Sequence, residues 1–142
     1  MSFDPSSDYP LGRRRPDLVS TPSGLALDEV TLDALRDGRL AWDDLRATPE
    51  TLRLQSEVAR AAGRPALAEN LGRAAELASL PDETVLSIYT ALRPQRSTAE
   101  ELSAWALKLE ELAAPSCAAF LREASEAYAR RGLLAQGEHA TV

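Results

Sequence analysis

The chain has 142 residues, 44% of them hydrophobic and 27% charged, and a formal net charge of −6. That suits one domain of ordinary globular composition, far from the low-hydrophobicity, high-charge signature of disorder, and net negative charge disfavours a phosphate backbone as partner. No run approaches the roughly 18–20 apolar residues of a membrane span, and an opening that includes Asp4 and Pro5 lacks the layout of a signal peptide, so a cytoplasmic chain with no membrane or nucleic-acid partner is expected.

Residues 1–24 contain Pro5, Pro10, Pro16 and Pro22 with the run Arg13-Arg14-Arg15, and show neither helical nor alternating periodicity. They are read as an extended N-terminal arm, its arginines balanced by Asp4, Asp8 and Asp17. From residue 25 the pattern turns helical and no short run is rich in β-branched or aromatic types with period two, which predicts an all-α fold. A short helix starts after Thr31 and stops at Gly38, and a brief turn follows at 42–45.

Thr48-Pro49-Glu50 then supplies a capping hydroxyl, a proline at the first helical position and an acid in the first turn, with Leu54, Val58 and Ala61 on one face up to Gly63. Pro65 opens a helix whose Leu67, Leu71, Ala74, Ala75 and Ala78 share a face; Pro81-Asp82-Glu83 opens another, with Val85, Ile88, Tyr89 and Leu92 in helical register before Pro94. Ser97-x-x-Glu100 has capping-box spacing ahead of the stripe Leu102, Trp105, Leu109 and Leu112. The last helix begins near Pro115, lines a face with Cys117, Phe120, Leu121, Ala124 and Tyr128, and closes at Gly132. In sum, the expectation is a compact single domain over 25–134, of about four long helices plus one or two short ones joined by short loops, and a flexible tail over 135–142.

Convergent titratable groups are hard to find. The single histidine, His139, sits in that tail, and Cys117 shares an apolar helical face where burial would keep it a thiol. One cysteine and one histidine cannot make a disulfide or a structural zinc site. Neighbouring acids such as Asp43-Asp44 and Glu110-Glu111 point in different directions on a helix and read as solvated surface, while Gly63 and Gly72 lack the spacing of a phosphate loop. No catalytic, cofactor-binding or metal-binding residue is therefore expected. The arginine run at 13–15 suits either an acidic surface or a solvated arm. An acidic, all-helical chain of this kind fits a subunit or adapter better than an enzyme.

Three segments narrow the choice: Asp8-Tyr9-Pro10-Leu11, Asp44-Leu45-Arg46-Ala47-Thr48-Pro49-Glu50-Thr51-Leu52-Arg53-Leu54-Gln55, and Ala61-Ala62-Gly63-Arg64. With Asn70, Arg73-Ala74-Ala75-Glu76-Leu77, Pro81-Asp82-Glu83, Ile88-Tyr89, Ala91-Leu92-Arg93-Pro94, Arg96-Ser97-Thr98 and Glu100-Glu101-Leu102, they resemble, in order and over about 8–134, the small (gamma) subunit of diol and glycerol dehydratases. The resemblance implies a hydro-lyase built from large, medium and small chains in an (alpha-beta-gamma)2 heterohexamer. It also implies that the large chain binds substrate and a metal ion, and that adenosylcobalamin lies between the large and medium chains and not on this one. The reaction so implied is a radical conversion of a 1,2-diol or glycerol to an aldehyde, with no catalytic residue here.

The small chain would then act as a scaffold, contacting mainly the large subunit, with an arm over 8–19 lying along it. Tyr9, Pro10, Leu11, Arg14, Tyr89, Arg93 and Arg96 are the candidate interface residues. Only seven residues precede Asp8, too few for the helical extension of family members packaged in microcompartments, so packaging through this chain is not expected. A stand-alone helical adapter is the main alternative, ahead of a helix-turn-helix DNA binder or a free-standing enzyme.

Overall fold

The computed structural model describes residues 2–136, so His139 and the tail beyond 136 lie outside it. Among the described residues the fold is all-α, as the periodicity predicts, and it comprises two compact units, one up to Ala78 and the other from Ser79. Length alone suggested one core; each unit has its own buried set.

In the first unit the arm is coiled, which corrects the expectation of an extended segment. The Asp4 carboxylate accepts from the Ser6 amide at 3.0 Å and the Ser7 hydroxyl at 2.8 Å, which closes a turn. A one-turn helix, α1 (Leu11–Arg14), and a 3-10 turn (Pro16–Leu18) follow. The Arg15 guanidinium bridges Asp8 at 3.0 Å and Asp17 at 2.9 Å. Arg15 thus gathers two of the arm's carboxylates, which a reading of proline content and missing periodicity does not foresee. An isolated bridge, Ser20 to Ala26, leads through a second 3-10 turn (Leu27–Glu29) to α2 (Leu32–Arg36). Thr31 caps α2 by accepting from the Ala34 amide at 3.1 Å, and Gly38, at φ 73°, takes the left-handed geometry beyond its end, both as predicted.

After a 3-10 turn at Trp42–Leu45 come α3 (Pro49–Ala61) and α4 (Pro65–Leu77), with Thr48 capping α3 through the Thr51 amide. The three-residue connection folds them into an antiparallel hairpin. Its seam is built from small residues: Ser56 and Ala59 on α3, Ala68 and Ala75 on α4, all buried. The Ser56 hydroxyl donates to the Ala68 carbonyl at 2.7 Å, and a Cβ placed on Gly72 would come within 4.0 Å of that hydroxyl. The predicted faces are therefore rotated in part: Ala61 and Leu67 are exposed, Ala75 is in the seam as expected, and Ser56, Ala59 and Ala68 complete it.

The second unit holds α5 (Asp82–Ala91), α6 (Ala99–Glu111) and α7 (Pro115–Arg131), which makes five helices of ten residues or more among the described residues, where about four were expected. α6 and α7 form a hairpin closed by Ala113 and Ala114, with Leu102, Ala106, Leu109, Cys117, Ala118 and Leu121 nearly inaccessible. Phe120 and Leu112 face outward instead, a correction to two predicted stripes: an apolar residue one position round the helix from a buried one does not reach the seam. The α6 capping box also lies one residue later than predicted. Thr98 accepts from the Glu101 amide at 3.2 Å while Glu101 accepts from the Thr98 amide at 2.9 Å. Ser97 is free for that shift because its buried hydroxyl serves the Ala91 carbonyl at 2.9 Å. The Tyr128 hydroxyl likewise serves the Leu92 carbonyl, fixing the end of α5 against α7.

Leu109 is fully buried between α6 and α7. Leu109→Ala should therefore lower the unfolding free energy by about 2–5 kcal/mol, measured by denaturant titration. Leu107→Ala, on the exposed side of the same helix, should change it by less than about 0.5 kcal/mol.

Candidate subunit interface

What each unit leaves outside defines the candidate site. In the first unit, the segment 20–48 is tied together by Asp44, a buried carboxylate. It accepts from the Ser23 amide at 3.1 Å through Oδ1 and from the Ala41 amide at 3.0 Å through Oδ2. Hydrogen bonds from Ser23 first, then from the Ala41 amide, hold its carboxyl below the ordinary value of 3.8. The expectation that Asp43-Asp44 is solvated surface is thus corrected for Asp44; the signal was its place three residues after Ala41, the spacing at which a carboxylate caps a turn. This knot fixes the short turn that presents Trp42, 78% exposed, and Leu45 to solvent.

The predicted arm residues divide. Leu11 is buried at 7% and anchors α1 within its own unit, so its side chain is not offered outward. Tyr9 is 60% exposed at the rim of a groove of about 510 Å³ lined by Leu11, Gln55, Val58, Arg64, Leu67 and Leu71, between the arm and the α3–α4 hairpin. Pro10 is exposed and stands at the N-terminal end of α1, and Arg14 donates through Nη1 to the Ser7 carbonyl at 2.6 Å. In the second unit Tyr89 is 70% exposed and Leu86, three residues earlier on the same helix face, is 65% exposed. Arg93 and Arg96 are exposed in the connection that follows α5. The structure thus places Tyr9, Pro10 and Arg14 on one unit and Tyr89, Arg93 and Arg96 on the other. Leu32, Trp42, Leu45 and Leu86 are exposed as well, and sequence reasoning did not single them out, because which apolar residues stay outside is decided by packing.

Among the described residues no three His, Cys, Asp or Glu side chains gather where they could hold a metal ion, and no helix is long and apolar enough to cross a membrane. Cys117 is buried on the inner face of α7, and Glu110 pairs with Arg122 at 2.8 Å. The arrangement supports recognition through apolar and arginine side chains held on rigid elements.

Comparison with known proteins gives the family of the chain. The family model described as dehydratase small subunit matches residues 5–135. The propanediol dehydratase small subunit of Citrobacter freundii is 49% identical over 126 residues, which cover 88% of this chain and 73% of that protein. The propanediol dehydratase small subunit of Salmonella typhimurium is 50% identical over the same shares. The chain belongs to the dehydratase small subunit family.

Because the Asp44 carboxyl lies below its ordinary value in the folded state, it stabilises the fold above about pH 4, and that contribution is lost as pH falls through the folded value. Asp44→Asn, which leaves one acceptor where two amides converge, should lower the melting temperature at pH 7. The gap between variant and native chain should narrow on acidification to pH 3, as thermal scans at the two pH values would show. An equal gap at both would disprove this role.

Proposed function

We propose that this chain is the non-catalytic small subunit of an adenosylcobalamin-dependent propanediol or glycerol dehydratase, and that it stabilises the large catalytic chain. The observation that carries the reading is the set of large apolar side chains held outward on a chain of this family, above all Trp42 and Tyr89. Aromatic side chains fixed on short, hydrogen-bonded elements lose little conformational freedom on docking and are the commonest anchors of protein interfaces. A chain that binds only the folded partner stabilises it by mass action.

Cys117, buried in its own helix packing, is not offered to a corrinoid or a metal ion. Adenosylcobalamin would be held by the large and medium chains, where it would supply the radical that initiates loss of water from the diol. The residues of this chain take no step in that reaction. Their part is to cover apolar surface and hold the partner's shape in the (alpha-beta-gamma)2 assembly. Its place is the cytoplasm, as for other soluble metabolic enzymes.

Co-expression of the three chains tests this. The full chain should co-purify with the large and medium chains, and aldehyde release from 1,2-propanediol or glycerol should require adenosylcobalamin. Trp42→Ala should weaken assembly by about 2 kcal/mol or more while leaving the free chain's melting temperature within a degree or two, since Trp42 touches little of its own unit. A chain that stays alone in the presence of its partners would favour the stand-alone adapter.

A further inference from the structure

The inference rests on the subunit reading above and concerns α5. Of the five helices of ten residues or more among those described, α5 alone carries no charge beyond its first two positions, Asp82 and Glu83. The other four each expose charged side chains further along, as at Arg53, Glu69, Lys108 and Arg122. The inner face of α5 holds Ile88 and Ala91, both buried. Past the first turn its outer face consists of Leu86, Ser87, Tyr89 and Thr90, and here Leu86 and Tyr89 stand largely in water.

Both hydroxyls of that outer face turn back onto the helix. Ser87 donates to the Glu83 carbonyl at 2.8 Å and Thr90 to the Leu86 carbonyl at 2.9 Å. Beside the ridge of Leu86 and Tyr89 lies a hollow of about 490 Å³ lined by Leu86, Ser87, Thr90, Ala91, Arg96 and Ser97. Ser97, the third hydroxyl on that lining, donates to the Ala91 carbonyl at 2.9 Å. A partner covering this face therefore strands no hydroxyl proton, and the long stem of Arg96 lets its guanidinium stay in water. A helix with large apolar side chains outward and an apolar inner face belongs in an environment that covers both.

We propose that the outer face of α5 docks on the large dehydratase chain, with Leu86 and Tyr89 seated in an uncharged, apolar groove of that chain and one of its apolar side chains in the hollow. Leu86 and Tyr89, three apart on one face, have the anchor spacing of a helix laid into a groove. The match in charge selects the groove: with no charged residue from Thr84 to Leu92, this face would leave the charges of a polar groove desolvated and unpaired. Size selects the occupant. A ten-residue helix is about 15 Å long, and its two large side chains supply far less than the roughly 800 Å² per partner of a stable interface. A second copy meeting this one α5 to α5 would be held by that strip alone and would bring together two chains of net charge −6, whereas a larger partner continues past the strip.

The test uses the full chain with co-expressed large and medium chains. Leu86→Ala with Tyr89→Ala should weaken binding to the large chain by at least about tenfold, and by the same factor at low and high salt, since no ion pair is lost. Because both side chains are exposed, the free double variant should melt within about two degrees of the native chain. Thr90→Glu, which puts a charge into the face, should weaken binding comparably. A photocrosslinking phenylalanine analogue in place of Tyr89 should join the large chain. Hydroxyl-radical oxidation of Tyr89 in the wild-type complex should fall well below that in the free chain, with half-buried Tyr128 as the internal reference; this readout needs no variant and decides the matter if the double variant unfolds. Unchanged binding by a folded double variant, a loss that disappears at high salt, or Tyr89 oxidised as readily in the complex overturns the docking face and leaves the subunit reading intact. A cross-link to the medium chain or to a second small chain gives the face to that partner and equally overturns the proposal. A wild-type chain that fails to bind the large chain at all sinks the subunit reading itself.

Discussion

The hydrogen bond from Ser56 to the Ala68 carbonyl can form because no side chain larger than a serine stands between α3 and α4 at that point. Close approach through Ala59, Ala68, Gly72 and Ala75 satisfies a buried hydroxyl and brings two backbones together. It also restricts what the seam contributes. A buried methyl is worth about 0.8 kcal/mol and a buried leucine about 1.5–3 kcal/mol, so a seam of alanines yields a narrow hydrophobic gain. Half of the buried apolar residues among those described are alanine. On the seam helices the larger Leu67, Leu107 and Phe120 end up outside, and they add to the apolar surface that Trp42, Leu86 and Tyr89 expose from other elements.

The second unit applies the same economy with more leucine. Leu102, Leu109 and Leu121 fill the α6–α7 seam, and Ala106, Ala114 and Ala118 let the helices close. The stretch after α5 carries no such core and is held by polar bonds: Ser97 to the Ala91 carbonyl, Tyr128 to the Leu92 carbonyl, and the Gln95 amide to the Leu133 carbonyl at 2.7 Å. These bonds fix the backbone from which Arg93 and Arg96 project. An exposed arginine on a loose loop would pay side-chain and backbone entropy on docking; here the backbone part is already paid.

Fold class and most helix boundaries were legible because they depend on local chemistry. Thr31, Thr48, Gly38 and Gly132 act where their side chains or positive φ allow, and each needs only its near neighbours. Burial was less legible. Both Ala118 and Phe120 belong to apolar arcs of α7, and only the partner helix decides that the smaller residue turns inward. The capping box of α6 was ambiguous for a similar reason: Ser97 and Thr98 both precede a glutamate by three, and a carbonyl six residues upstream claims the serine. Asp44 and Arg15 escaped because their partners, Ser23 and Asp8, lie 21 and 7 residues away. Tyr89 and Trp42 are both exposed, yet only Tyr89 was singled out from the sequence, since exposure is a property of the packed chain.

These points explain how a chain can fold with its largest side chains in water. Its helices are specified by caps and turns, whose hydrogen bonds are worth about 1 kcal/mol apiece, and by seams whose small residues permit only one close approach. Such specification gives shape without a large margin of hydrophobic stability. A surface of that kind, apolar but borne on fixed helices, gains area when a partner covers it and pays little to be ordered. The acidic net charge works alongside this, since it opposes self-association of the exposed patches. Of the large apolar residues left in water, the alanine seams account for Leu67, Leu107 and Phe120, whereas Trp42, Leu45, Leu86 and Tyr89 stand on a hydrogen-bonded turn and on α5, outside those seams.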